Sequence, residues 1–147
     1  MELTTDSRPA EIVKAWVAAL LSGEYKQGKF YLRHEDKYCC LGVLCELAVK
    51  AGVIVPGKPS LGSADKVTVY VGETKTLPRE VAWWAGVGAN PQMSSTGHTL
   101  GYLNDNGMKF PDIAELIRAN LHPEPESVSQ PDGFGTYDPN DNGNQPI

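Results

Sequence analysis

Of the twelve residues from Cys40 to Ala51 only Glu46 and Lys50 are charged, and their spacing of four puts both on one narrow stripe of a helix. A helix that is apolar on nearly every side has no face to give to water, so other elements have to enclose it. Gly52 closes it. Upstream, Ile12, Trp16 and Leu20 recur at every fourth position with Val13, Val17 and Leu21 alongside. That pattern predicts an amphipathic helix starting at Ser7, Pro9 and Glu11 and stopping near Ser22 and Gly23. Thr76 and Pro78 start a further helix carrying Val81, Trp84 and Ala85, with Trp83 on its flank. Thr99 to Leu103 reads as one helical turn, and Asn104, Asp105, Asn106 and Gly107 as turn formers. Pro111 opens the last helix, whose apolar face is Ile113, Ile117 and Leu121.

Between these helices the strand signals are short. Phe30–Leu32 and Tyr38–Cys40 flank a polar stretch, His34–Lys37, and are expected to form a hairpin. Val67, Val69 and Val71 alternate with Thr68, Tyr70 and Gly72, the pattern of a half-buried strand with its valines inward. Val53–Ser63 and Gly86–Thr96 are expected to be loops. The expected fold is therefore α+β: a single domain over residues 1–121, with several helices around a short antiparallel sheet. From His122 onward Pro, Gly, Asp and Asn dominate, and a segment of that composition cannot build a core of its own.

Charge follows the same boundary. Residues 122–147 hold five acids and no Lys or Arg, and the chain's 18 acids less those five leave 13 against its 13 bases. The net charge of -5 thus belongs to the tail, and the neutral body has no general attraction for nucleic acid or for an anionic membrane. No apolar run is long enough to span a bilayer and no signal pattern opens the chain, so a cytoplasmic location is expected. Cys39, Cys40 and Cys45 are an odd set, which suits a reducing compartment, and they lack a second pair with zinc-ligand spacing. Neither a metal site nor a cofactor is expected: no glycine-rich phosphate loop, complete helix-turn-helix or complete calcium loop is present. In the tail, Val128, Phe134, Tyr137 and Ile147 are spaced between prolines and acids, as in an extended arm that docks on a protein partner or on a second copy.

The segment YCCLGVLCELA, residues 38–48, taken with WVAALLSGEYKQGKFYLR, LPREVAWWAGV and LGYLNDNGMKFPDIAELI, resembles a group of small, mostly uncharacterised proteins of bacteriophages and related mobile elements. The resemblance spans roughly residues 11–121. It implies an origin and an accessory role, and no particular chemistry.

Two sets of residues are candidates for a site. Cys40 stands at the start of the central helix and His98 lies 58 residues on, an order similar to that of peptidoglycan-cleaving cysteine peptidases of the papain-like type. That likeness implies Cys40 as nucleophile and His98 as its base, although Leu41 and the helical setting of His98 depart from it. The competing reading makes the three cysteines small core hydrophobes. Trp83 and Tyr70 exceed what the core needs, and a planar ligand such as a small nucleotide would stack there with Arg79 or Lys37 facing its phosphate. Aromatics that fill space between helix and sheet are the alternative. The function expected overall is non-enzymatic protein binding by a phage-type accessory protein, with a nucleotide sponge and a Cys40–His98 hydrolase as alternatives.

Overall fold

The computed structural model describes residues 5–6, 8–60, 66–121 and 126–127. Among them five helices occur: α1 (Arg8–Ser22), α2 (Cys40–Lys50), α3 (Arg79–Ala85), α4 (Leu100–Asp105) and α5 (Phe110–Asn120). The domain is a small α+β one, with these helices around short strands. As its composition demands, α2 is enclosed: Cys40, Leu41, Val43, Leu44 and Cys45 are inaccessible to solvent, and α1, α3 and α4 pack on it. The Trp16 face of α1 turns toward α2, and α1 also packs along α5, whose Ile113, Ala114 and Ile117 are buried. No helix among the described residues is long and apolar enough to cross a membrane.

The first turn of α2 is held by three partners, Leu32, Asn104 and Trp16. Cys39 donates its backbone N–H to Leu32 O (3.2 Å), and Cys40 N–H donates to Asn104 Oδ1 (3.2 Å). Trp16 Nε1 donates to Cys40 O (2.9 Å), tying α1 to the same turn. Within the same turn, Gly42 faces the Leu32 carbonyl so closely that any Cβ would collide with it. Asn104, fully buried, is the hub: its Oδ1 also accepts from Gln27 Nε2 (2.9 Å), and its Nδ2 donates to Gly28 O (2.8 Å). Gln27 in turn donates to Met108 O (2.7 Å) and accepts from Phe110 N–H (3.1 Å), which fixes the start of α5. A buried amide that satisfies this many backbone groups sets their mutual positions, because each would cost free energy if left unpaired.

The strands are two residues each: β1 (Thr5–Asp6), β2 (Lys26–Gln27), β3 (Arg33–His34), β4 (Lys37–Tyr38), β5 (Lys58–Pro59), β6 (Thr68–Val69), β7 (Gln92–Met93), β8 (His98–Thr99) and β9 (Glu126–Ser127). They pair as β1–β9, β2–β4–β3, β5–β6 and β7–β8. Three expectations need correction. The hairpin exists, but its arms are β3 and β4 with Arg33 opposite Tyr38; Phe30 stands outside it at φ 75°, and β2 adds to β4 in parallel. The valine strand is inverted at its end: Tyr70 is buried and Val71 is 45 % exposed. Tyr70 and Glu73 exchange both backbone hydrogen bonds at 2.9 Å around Val71 (φ 48°) and Gly72 (φ 84°), a hairpin turn with two left-handed residues that redirects the chain. Lastly, both segments expected to be loops contribute strands, β5 and β7, and β7 carries the fully buried Met93.

Two substitutions test these constraints. Gly42→Ala is expected to lower stability by about 3 kcal/mol or more, since neither the Leu32 backbone nor α2 can retreat. Val71→Asn relieves a β-branched residue from the left-handed region and is expected to raise stability by about 1 kcal/mol. Urea unfolding of each variant against the parent chain measures both.

Candidate functional site

Cys40 lies at the N-terminal turn of α2, as expected, but at 0 % exposure. Its Sγ is 3.7 Å from Leu100 O, and burial raises its thiol pKa well above the ordinary value, the reverse of what an attacking thiolate needs. His98 stands on the strand β8 and not in the helical setting expected for it, because the helix starts only at Leu100; it is exposed and stacks on Tyr102, ring centroids 4.4 Å apart. The two residues thus come to neighbouring elements without forming an open Cys–His pair. Cys39 and Cys45 are buried as well; burial pushes the Cys39 thiol up to about 11 and that of Cys45 higher still. No three His, Cys, Asp or Glu side chains among the described residues are grouped to share a metal ion.

The proposed stacking set is also dispersed. Tyr70 is fully buried, which corrects its reading as surplus surface: its hydroxyl donates to Glu46 Oε2 (2.6 Å), with the Arg33 guanidinium 4.0 Å from the same oxygen. Burial, followed by the bond to Glu46, raises the Tyr70 hydroxyl well above its usual range. Tyr70 therefore anchors the β5–β6 pair to α2, and Gly57 leaves room for its ring. Trp83 is 66 % exposed, with the Arg8 guanidinium 4.6 Å from its ring centroid. Arg79 and Lys37 are exposed on α3 and β4. None of these four residues lines the clefts described next. Val128, Phe134, Tyr137 and Ile147 lie outside the described residues.

Two depressions on the surface have contrasting chemistry. The larger, about 570 Å³, is a groove along α1 where it meets the end of α5. Its walls are Ala10, Val13, Val17, Ala18, Leu21 and Leu121, with the basic residues Lys14 and Arg118 in the lining and Leu21 46 % exposed. Helical spacing places Ala10, Lys14, Ala18 and Leu21 on one stripe of α1, beside the face turned to the core. The smaller, about 370 Å³, lies beside α4 and is polar: Phe30, Cys39, Lys75, Thr76, Asn90, Thr99, Gly101, Tyr102 and Asp105 border it. Sequence patterning did not single out Phe30, Tyr102, Asn90 or Asp105. The only sign of them is the turn expected over Asn104–Gly107, and this needs correction: Asn104 and Asp105 close α4, Asn106 and Gly107 alone turn, and the Asn104 and Asp105 side chains serve distant backbone.

Residues 9–121 match the family "Domain of unknown function (DUF8296)", and the chain belongs to that family. No curated protein and no solved structure matches it.

The buried thiols have a measurable consequence. At pH 8 a soluble thiol reagent is expected to modify Cys40 and Cys45 only as fast as the domain unfolds, so the rate rises with urea. Folding holds the Cys39 thiol protonated up to about 11, while in the unfolded chain it ionises near 9. Its contribution is therefore complete below pH 9 and is lost as the pH rises toward 11, and the urea midpoint is expected to fall across that window.

Proposed function

We propose that this member of the DUF8296 family works by protein binding rather than by covalent chemistry, as a phage-type accessory protein that assembles through the α1–α5 groove. The observation that carries this reading is the groove itself: about 570 Å³, walled by aliphatic side chains and bordered by Lys14 and Arg118. An apolar groove on a helix pair suits an apolar segment, and basic borders suit an acidic one. Residues 122–147 have that chemistry: five acids, no Lys or Arg, and Val128, Phe134, Tyr137 and Ile147 as separated apolar anchors. They also follow directly on Leu121, which is part of the groove wall. The occupant is the part of this segment beyond Ser127, taken from a second copy, since Glu126–Ser127 pair with Thr5–Asp6 of their own chain; from there one chain's arm fills the next chain's groove. Arg118 already pairs with Glu115 at 2.9 Å, and an incoming carboxylate would exchange for that exposed partner at little cost.

A spin label tests the contact in the full chain. With the native thiols buried, Ser129→Cys gives one reactive position in the arm, and labelled chains are mixed with isotope-labelled parent chains at near-millimolar concentration. Selective broadening of the Ala10, Lys14, Ala18 and Leu21 amides is expected in the parent copy, and it should vanish in Leu21→Glu. Broadening of other surfaces, broadening only within the labelled chain itself, or none at all would each overturn the proposal.

A further inference from the structure

The cleft beside α4 is built differently from the groove, and its construction is specific. Phe30, 60 % exposed, is held at φ 75°, a left-handed conformation that strains a non-glycine residue. Its backbone N–H donates to Asp105 Oδ1 (2.8 Å), and Asn104 Nδ2 approaches the same oxygen (3.3 Å). One oxygen of Asp105 is thus engaged, and the other has no protein partner among the described residues. Across the cleft, Asn90 Oδ1 accepts from Gly101 N–H (2.9 Å), which orients the carboxamide and leaves its NH₂ group without a protein partner among them. Gly101 has no side chain to intrude, since a Cβ there would come within 3.1 Å of the Asn90 amide. Tyr102, 50 % exposed, is braced by His98 against one ring face, and its backbone N–H is capped by Thr99 Oγ1 (3.2 Å). Lys75 supplies an exposed ammonium, 5.6 Å from the Tyr31 ring centroid.

We propose that this cleft binds a planar heteroaromatic anion of the nucleoside monophosphate class. A simple anion would meet the Asp105 carboxylate and a simple cation would meet Lys75. A ligand with N–H donors at one end and negative charge at the other satisfies both. The Asp105 oxygen accepts from an amino or imino group of the base, the Asn90 NH₂ donates to a ring nitrogen or carbonyl, and the ring lies against Tyr102 with Phe30 as the opposite wall. Lys75 faces the phosphate. A volume of about 370 Å³ suits one ligand of this size. The cleft shares no lining residue with the α1–α5 groove, so this proposal stands or falls independently of the assembly reading.

Calorimetric titration of the full chain with AMP, GMP, CMP and UMP, their nucleosides and inorganic phosphate tests it. Saturable binding of at least one monophosphate is expected, about tenfold tighter than its nucleoside. Lys75→Gln should abolish that difference, and Tyr102→Leu should weaken nucleotide and nucleoside alike by about tenfold or more. Both side chains are exposed, and an unchanged amide spectrum away from the cleft certifies the fold of each variant. No heat from any of the four monophosphates at millimolar concentration would overturn the proposal. So would phosphate alone binding as tightly as the nucleotide, or affinity indifferent to Tyr102→Leu.

Discussion

The structure depends on the way the first turn of α2 is satisfied. Helix starts normally leave backbone N–H groups to water or to a local capping side chain, and Cys39, at the cap position, makes no side-chain capping bond. Here the turn is deep in the core, where an unpaired amide would cost on the order of 1–3 kcal/mol. The deficit is met from outside the helix by Asn104, while Trp16 reaches the Cys40 carbonyl from the other side. Because the same Asn104 binds Gly28 and Gln27, and Gln27 binds the start of α5, one buried carboxamide links α2, the β2 strand and the α4–α5 junction. The apolar packing of α1, α3 and α4 around α2 is extensive but non-directional; the polar hub selects one arrangement of it.

The two candidate surfaces follow from this frame in different ways. The groove is what remains when α1 gives its Trp16 face to the core and packs along α5, leaving its Ala10–Leu21 stripe uncovered beside Arg118 and Leu121. The polar cleft is a by-product of the hub: Asp105 follows Asn104 directly, and its bond to Phe30 N–H carries that ring to the rim. The cysteines, conspicuous in sequence, contribute packing at α2. Their burial keeps them as thiols and removes the feature on which a nucleophilic role would rest.

The long helices α1, α2 and α5 were legible because each has an uninterrupted 3.6-residue pattern, and the uniformly apolar α2 could occupy only the centre, whereas the six-residue α4 is too short to show its end at Asp105. The strands were not, since two residues are too few to show a period of two. Tyr70 illustrates the difficulty: the alternation of Val67, Val69 and Val71 is genuine, yet Val71 takes a left-handed conformation and Tyr70 finds Glu46 on α2, a partner that no local pattern announces. The cleft was hidden for the same reason. Phe30 resembles any strand aromatic until Asp105, 75 positions later, fixes its backbone, and Asn104 resembles any turn residue until its partners are known. Trp83 and Tyr70 drew notice as aromatics in excess of the apparent core; one packs with Arg8 and the other is the core.

The Asn104 hub also bears on how such a chain can acquire its fold. Its bonds close over sequence separations of 64 to 77 residues, whereas α2 itself is a local structure. During synthesis the N-terminal half therefore emerges with a central helix whose first amide has no partner and whose apolar surfaces lack α3 and α4. Each bond of the hub carries a larger loop-closure cost than any contact within α2, so the residue that caps this helix is entropically dearer to bring in than the helix is to form.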